Sequence, residues 1–284
     1  MSGTANSVYS GYQALSVVVA DGIAMVTIDN PPINLFDMHM YPEMARLAGE
    51  LAVDDDVRVV VLGSANADFF IAHFDVTIIQ TIPVDLPEPT ELNPFHQMCE
   101  AFRTMPKATI AVIEGRVGGG GSELALSCDM RFAALPGDGS AGAVFNQPEV
   151  ALGIIPGGSG TVRLSRLIGR SRALEVMLGC DDIDAATAEA WGWVNRALPP
   201  DELWPFVHRI ARRIASFPPH AVAAAKAAVV RSEKEVGADL LAEGAAFNAT
   251  LGHPSTVAAM QRFLDIGGQT RDGELRLGDL AAEL

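Results

Sequence analysis

The chain has 284 residues, of which 49% are hydrophobic and 19% charged, so it is long and apolar enough to bury a large core. Its 35 acidic and 20 basic residues leave a formal net charge of -15 at pH 7, which argues against a surface that binds nucleic acid or an anionic membrane. Cys99, Cys128 and Cys180 are widely spaced and form no Cys-x-x-Cys pair, which indicates buried thiols in a reducing compartment.

The N-terminal segment and the length of the apolar runs bear on location. Residues 1–15, MSGTANSVYSGYQAL, have no basic segment followed by an apolar core. No later stretch runs for about 18 apolar residues without a charge, as a membrane span would. We therefore expect a soluble cytoplasmic protein.

Strand and helix patterns alternate along the first half of the chain. Residues 15–29 predict two strands around an Asp-Gly turn, residues 42–54 have apolar side chains at helical spacing, and residues 57–65 form a β-branched strand. The same alternation continues with a helix, a strand, a helix and a strand over residues 93–105, 107–115, 122–130 and 130–135. This order predicts an α/β fold with repeated crossovers.

From about Asp181 the pattern becomes helical. Four successive helices are predicted, over residues 185–193, 202–217, 221–236 and 238–251. The last third of the chain is therefore expected to be mostly helix.

Residues 114–126, EGRVGGGGSELAL, place four glycines immediately before a predicted helix. Successive glycines let the backbone approach a ligand closely, and the free N–H groups of a following helix favour an anion or a developing oxyanion. The run matches neither the dinucleotide motif nor the phosphate-binding loop. Ser122 is not the nucleophile of a Gly-x-Ser-x-Gly turn, because Leu124 stands where the second glycine belongs. On this stretch alone, a flexible turn before a helix remains an equal alternative.

Four segments, taken in order, resemble the enoyl-CoA hydratase/isomerase, or crotonase, family. Residues 107–134 are similar to its strand, glycine turn and helix, and residues 145–169, FNQPEVALGIIPGGSGTVRLSRLIG, are similar to its second signature. Residues 69–76 stand where the family has an Ala-Gly-Ala-Asp loop, and residues 25–37 resemble its N-terminal strand and Asn-Ala-Leu turn. The resemblance covers roughly residues 15–265.

This resemblance implies a crotonase-like spiral of repeated ββα units with a C-terminal helical region. Residues 1–205 would form the α/β core with a site for a coenzyme A thioester, and residues 206–284 a helical oligomerisation region. The resemblance also implies that this chain forms a homotrimer, since family members form trimers that often pair into hexamers.

The resemblance also assigns the chemistry. The thioester oxygen would face the backbone N–H groups of Phe74 and Gly120, which form an oxyanion hole. Glu123 and Glu149 fall at the family's two catalytic glutamates: one activates the water that attacks C3 of a 2-enoyl thioester, and the other supplies the proton to C2. We favour Glu149 as the proton donor and Glu123 as the base, although either residue alone also fits an ordinary surface or helix-terminal carboxylate. The same motifs imply further substrate-binding residues, which are Asn34, Leu35, Ala72, Asp75, Val117, Gly119 and Gly157.

Because both glutamates are kept, an enoyl-CoA hydratase is the expected activity. The alternatives are an enoyl-CoA isomerase, an acyl-CoA hydrolase, or a non-catalytic acyl-CoA-binding subunit. No cofactor is expected beyond the coenzyme A of the substrate. No metal is expected either, since the six histidines show no His-Glu-x-x-His motif and no acid-paired spacing.

Some positions depart from the family pattern. His73 and Phe74 replace small residues, so Phe74 would narrow or gate the acyl pocket, and Asn146 replaces a glycine before Glu149. A basic run expected after residues 260–263 is absent, which removes one source of positive charge for the coenzyme phosphates. Arg116 is one candidate to supply this charge. The favoured alternative is that Arg116 is an ordinary solvated arginine on the surface.

Overall fold

The computed structural model describes residues 9–137, 139–233 and 236–284, and these form two β-sheets surrounded by helices. Residues 1–8, which belong to the segment used for the expectation about targeting, lie outside the described residues. In the described ranges, no helix combines the length and the apolar character that a membrane crossing requires.

Ten strands occur within the described residues. They are β1 (Leu15–Ala20), β2 (Ile23–Ile28), β3 (Val59–Ser64), β4 (Phe69–Ile71), β5 (Ala108–Ile113), β6 (Arg116–Val117), β7 (Met130–Ala134), β8 (Val144–Phe145), β9 (Ile183–Asp184) and β10 (Arg196–Leu198). One sheet has the order β1-β2-β3-β5-β7-β10 and the other the order β4-β6-β8-β9.

Thirteen α-helices lie in the same described ranges. They are α1 (Met40–Val53), α2 (Val76–Ile79), α3 (Pro94–Thr104), α4 (Gly119–Ser127), α5 (Gly160–Ile168), α6 (Arg170–Gly179), α7 (Ala185–Trp191), α8 (Pro200–Ala215), α9 (Pro219–Ser232), α10 (Val236–Leu251), α11 (Pro254–Asp265), α12 (Arg271–Glu274) and α13 (Leu277–Ala281).

The chain winds between the two sheets as a spiral. Strands β3, β5, β7 and β10 add in parallel to the large sheet, while β4, β6 and β8 add in parallel to the small one. Helices follow each of the first four pairs of strands, for example α4 after β5 and β6. The α/β class and the repeated ββα turns predicted from the sequence are confirmed.

The β1–β2 hairpin turns at Asp21 and Gly22, which have φ angles of 54° and 78°. Positive φ at both central residues is the type I′ geometry that Asp-Gly favours. The strands pair from Leu15 with Ile28 to Ala20 with Ile23, so the predicted hairpin is confirmed with its turn.

Both faces of β3, a central strand of the large sheet, are buried, as its β-branched run predicts. Val60 and Leu62 belong to the core that α1 and α3 cover, whereas Val59 and Val61 belong to the core that α8 covers. Strands covered on both faces read as continuous apolar runs. The predicted boundary at residue 205 lies inside α8, and the division into two domains stays a prediction.

Two expectations were wrong in detail. Strands do not end near Asp181, because β9 and β10 follow it; runs of two or three residues are too short to show an alternating pattern. The helix after the glycine run begins at Gly119 and not near Ser122. Gly121 explains the difference, since a Cβ atom there would lie 2.4 Å from the carbonyl oxygen of Ile71 in β4. The glycines therefore let α4 begin against that strand.

Candidate active site

A cavity of about 420 Å³ lies at the start of α4 and contains both predicted glutamates. Most of its lining is aliphatic or aromatic, and Gly119, Gly120, Gly157 and Gly158 also line it. The apolar side chains include those of Val76, Ile79, Leu152, Ile154, Tyr41, Phe74, Phe95 and Phe247. Such a mainly apolar pocket with a few polar groups at one end is typical of a small-molecule site.

Glu123 lies in α4 and is only 4% exposed. Its Oε1 accepts hydrogen bonds from the backbone N–H groups of Gly158 and Gly160, both at 2.8 Å. A Cβ atom on Gly158 would lie 2.5 Å from Oε2, and one on Gly160 would lie 3.0 Å from Oε1. The second glycine-rich stretch is thus shaped so that its backbone reaches this carboxylate.

Glu149 begins a short 3-10 helix, Glu149–Leu152, and is 8% exposed. With its amide oriented to satisfy both neighbours, Gln147 donates to both carboxylate oxygens of Glu149 at 3.0 Å and accepts from Ser122 Oγ at 3.2 Å. A Cβ atom on Gly119 would lie 3.1 Å from Glu149 Oε1. The structure therefore places Glu149 against the glycine run that begins the helix of Glu123.

Burial and like charge act on both carboxyls. Burial raises the pKa of Glu123 to about 8, with a further rise from the negative charge of Glu243 and an opposing effect from the two backbone donors. Burial raises the pKa of Glu149 well above its ordinary value, and the charge of Glu123 adds to this. Ionisation of one carboxyl thus disfavours ionisation of the other.

Phe74 and Gly120 bring two backbone N–H groups to the same cavity. Phe36 bridges to Phe74 in parallel register, accepting from Asp75 N at 3.1 Å and donating to His73 O at 3.0 Å, so the N–H of Phe74 points away from Phe36. Across the described residues, neither the Phe74 nor the Gly120 N–H has a hydrogen-bond acceptor. A Cβ atom on Gly120 would lie 3.5 Å from the Cβ of Phe74, so these residues are in contact.

A segment near the C-terminus, residues 269–274, contacts the loop that contains Phe74. His73 is buried, and its ring contacts Phe74 O through Nδ1 at 2.7 Å and Glu274 Oε1 through Nε2 at 3.0 Å. Gln269 accepts from the N–H of Val76 at 2.6 Å and donates its own N–H to Glu274 at 2.7 Å. Where the expected basic run is missing, this chain has an acidic and amide segment that packs on the loop containing Phe74.

The other predicted substrate-binding residues divide into two groups. Gly119 and Gly157 line the cavity, whereas Leu35, Ala72, Asp75 and Val117 do not. Their roles stay predictions.

Asn34 also lies away from the cavity, and its side chain is fully buried. Its Nδ2 donates to the carbonyls of Phe69 and Phe70 at 3.1 and 3.0 Å, and its Oδ1 accepts from Asn30 N at 2.7 Å. Its polar atoms are therefore used to hold β4 in place, which does not favour the predicted contact with substrate.

Arg116 pairs with Asp182 at 2.5 Å and donates to Leu275 O at 3.2 Å. Asn146 donates to Asp182 Oδ1 at 3.1 Å, so Arg116 and Asn146 converge on one aspartate. Among the described residues, no three His, Cys, Asp or Glu side chains lie together as a metal site would require.

Glu243 and His96 were not singled out from the sequence, yet both are buried beside the site. Glu243 Oε1 contacts His96 Nε2 at 3.0 Å and accepts from Ser159 N at 2.5 Å, and its Oε2 accepts from Thr161 N at 2.9 Å at the start of α5. A lone glutamate in an alanine-rich helix pattern gives no sign that it points inward, so sequence reasoning had no signal to use.

Comparison with known proteins agrees with this geometry. The family model for enoyl-CoA hydratase/isomerase matches residues 19–268. The chain is 32% identical over 254 residues to a short-chain-enoyl-CoA hydratase of Clostridium acetobutylicum, covering 86% of this chain and 91% of that protein. It is 34% identical over 220 residues to a protein of Mycobacterium tuberculosis named as a probable enoyl-CoA hydratase, covering 76% and 81% of the two chains.

Solved structures give the same result. A candidate enoyl-CoA hydratase from Streptomyces avermitilis superposes with a TM-score of 0.87 at 38% identity, covering 96% of this chain and 98% of that one. An enoyl-CoA hydratase from Mycobacterium avium subsp. paratuberculosis gives 0.77 at 26% identity, with 90% and 97% coverage. The fold and the site define a crotonase-fold protein. The chain belongs to the enoyl-CoA hydratase/isomerase family.

Proposed function

We propose that this protein is an enoyl-CoA hydratase that adds water across the 2,3 double bond of an enoyl-CoA thioester. The observation that carries the proposal is the convergence of two buried glutamates and two free backbone N–H groups on one cavity. An acyl thioester in the cavity would place its carbonyl oxygen at the N–H groups of Phe74 and Gly120. One preorganised donor of this kind contributes about 3–4 kcal/mol to lowering a barrier.

The hydration step then follows from the two carboxyls. Glu123 takes a proton from water as the water oxygen bonds to C3, and the electron pair of the double bond moves toward C2 and the thioester oxygen. The N–H groups of Phe74 and Gly120 stabilise the resulting enolate. Protonation at C2 by Glu149 completes the 3-hydroxyacyl thioester, and the proton held by Glu123 returns to Glu149 before the next turnover, so the elements of water are added with no other reagent.

The environments of the two glutamates support this assignment of roles. Glu123 accepts two backbone hydrogen bonds, which favour its ionised form, and is therefore suited to act as the base. The pKa of Glu149 is raised by burial and then by the charge of Glu123, so Glu149 keeps its proton when Glu123 is ionised. A protonated Glu149 at neutral pH is the state that a proton donor needs.

The test is turnover of a short 2-enoyl-CoA, followed by the loss of absorbance of the conjugated thioester. Glu123→Gln and Glu149→Gln should each lower kcat by about 100-fold or more, the usual scale for a general acid or base, while thioester binding is kept. Glu175→Gln, on the exposed face of α6, is the matched control and should retain wild-type rates. Full hydratase activity in either active-site variant would contradict the assignment, and binding without turnover in the wild type would favour a non-catalytic subunit.

We also propose a homotrimeric or hexameric assembly in the cytoplasm. Helix α9 has no buried residue in the single chain although it contains mostly alanine and valine, so its apolar face is available for a neighbouring subunit. Cys99, Cys128 and Cys180 are free and buried, which supports a reducing compartment.

A further inference from the structure

Residues 157–162 run between two buried carboxylates from different parts of the chain. The N–H groups of Gly158 and Gly160 donate to Glu123, both at 2.8 Å. The N–H groups of Ser159 and Thr161 donate to Glu243, at 2.5 and 2.9 Å. Successive backbone N–H groups of this segment therefore donate in turn to Glu123 and to Glu243. A shift of the segment would disturb the hydrogen bonds to both carboxylates.

The contacts of Glu243 are those of a helix cap supplied from outside the helix. The N–H of Val162 donates to its Oε2 at 3.2 Å, so the carboxylate binds the free N–H groups at the start of α5. Ser159, the residue before this helix, has a φ of 101°, a conformation that non-glycine residues rarely adopt. The hydrogen bond from its N–H to Glu243 helps to hold that conformation.

His96 supports Glu243 from a third element. Its Nε2 lies 3.0 Å from Glu243 Oε1, and both side chains are 1% exposed. A carboxylate that receives backbone N–H groups can only accept, so Nε2 of His96 donates to it. His96 follows Phe95 in the chain. The ring of Phe95 lies close to two glycines of the site: a Cβ atom on Gly120 would be 3.2 Å from it, and one on Gly158 would be 2.4 Å from it.

We propose that Glu243, supported by His96, is a positioning residue for the hydration reaction: it fixes residues 157–162 so that the Gly158 and Gly160 N–H groups face Glu123. Glu243 of α10 would thereby act on the active site without itself touching the substrate. This inference rests on the proposed hydratase function.

The charge of Glu243 gives a second, separable effect. Its negative charge raises the pKa of Glu123, and the other groups that act on Glu123 from packed elements are Glu149, Arg163 of α5 and Cys99 of α3. Removing the charge at position 243 should lower the pKa of Glu123. If Glu123 is the base, the rising limb of kcat/KM against pH then moves to lower pH.

Two variants separate position from charge. Glu243→Gln keeps the side-chain size and one acceptor oxygen but loses the charge, whereas Glu243→Asp keeps the charge but withdraws the carboxylate by one methylene group. Both should lower kcat by about 10- to 100-fold, since a catalytic group misplaced by 1 Å can cost that much, with KM little changed. Only Glu243→Gln should move the rising limb of the pH profile. Glu175→Gln is the matched control.

A readout that needs no turnover accompanies the kinetics. Hydrogen exchange followed by mass spectrometry should be faster across residues 157–162 in Glu243→Gln than in wild type or Glu175→Gln. Wild-type kcat and pH profile in a folded Glu243→Gln protein would overturn the inference, and so would a loss of kcat with an unmoved pH limb and unchanged exchange. A wild-type protein without hydratase activity would instead reject the proposed function, and the exchange data would still decide whether Glu243 holds this segment.

Discussion

His73 and Glu274 are 201 positions apart in the chain, and their side chains meet at 3.0 Å in the interior beside the candidate oxyanion hole. Nδ1 of His73 contacts a carbonyl oxygen and Nε2 a carboxylate, so both nitrogens donate and the ring is an imidazolium. Burial lowers the pKa of His73, but the carboxylate of Glu274 outweighs this and leaves the pKa above its ordinary value of 6.5. Burial raises the pKa of Glu274, and the charge of His73 outweighs this, leaving it below 4.5.

These shifts predict how the stability of the fold depends on pH. The raised pKa of His73 stabilises the folded state fully below about pH 6.5, and this contribution is lost as pH rises through the folded-state value. The lowered pKa of Glu274 stabilises it above about pH 4.5, and this contribution is lost as pH falls through the folded-state value. The pair therefore contributes most between about pH 4.5 and 6.5.

Glu274→Gln should lower the free energy of unfolding by about 3 kcal/mol or more in that window, because an unpaired buried charge remains. The difference from wild type should shrink at higher and lower pH. Urea titrations at several pH values measure it, with Glu175→Gln as the control. A difference that does not change with pH would show that the pair is not ionised.

The pH dependence of catalysis is a second prediction. The pKa of Glu123 is raised to about 8, so kcat/KM should rise with pH through that region as the base ionises. It should fall at higher pH when Glu149 loses the proton it must donate. Measurements of kcat/KM from about pH 6 to about pH 10 test this. A profile that is flat below about pH 8 would mean that Glu123 does not titrate as the base.

Gly158 tests how closely the backbone must approach the carboxylate. In Gly158→Ala the new Cβ would lie 2.5 Å from Glu123 Oε2 and 2.4 Å from a ring carbon of Phe95, so the segment must move away. We expect kcat to fall by about 100-fold, the cost of a misplacement of about 1 Å.

Gly49→Ala is the matched control for this substitution. Gly49 is exposed in the middle of α1, with nothing within 4 Å of the new Cβ. This change should keep activity and stabilise the fold by about 0.5–1 kcal/mol. Equal activity in the two variants would contradict the close approach at Gly158.

Sequence patterns predicted some features of this molecule and could not predict others. Long apolar strands such as β3, and helices such as α1, have enough residues to show their period. The strands of the small sheet have two or three residues, so no period can appear, and their pairing depends on the whole spiral. Glu123 and Glu149 could be singled out because each stands inside a motif that resembles a family signature; both line one cavity, and their catalytic roles stay predictions. Glu243 was not, because its burial depends on where α10 packs, which no local pattern encodes.

Assembly is a fourth prediction, and α9 is the observation behind it. Val229 is 68% exposed on this helix, none of whose residues is fully buried in the single chain. We expect light scattering at micromolar concentration to report a trimer or hexamer of 30.0 kDa chains. A monomer would contradict it. Val229→Glu should weaken the assembly if α9 lies in the interface, with Val53→Glu, on the exposed end of α1, as the control.

The last prediction concerns Phe74, whose ring lines the cavity while its N–H is the proposed oxyanion donor. The ring packs edge-on against Phe95 and Tyr41, with centroids 5.8 and 5.6 Å away, so the three rings together form one wall of the cavity proposed to hold the acyl chain. Phe74→Ala keeps the backbone donor and removes the wall. The rate on short enoyl thioesters should be retained, and the rate on longer or branched enoyl thioesters should rise.

The measurement is the ratio of kcat/KM for a long and a short 2-enoyl-CoA. Loss of a fully buried ring costs about 3–5 kcal/mol, and Phe74 is half-buried, so a melting curve must first show that the variant is folded. Phe217→Ala is the control, because this ring is 43% exposed and does not line the cavity. A ratio unchanged from wild type would mean that the Phe74 ring does not contact the acyl chain. The narrowed pocket would then be rejected while the backbone N–H could still serve the hydration step, since the substitution removes only the side chain.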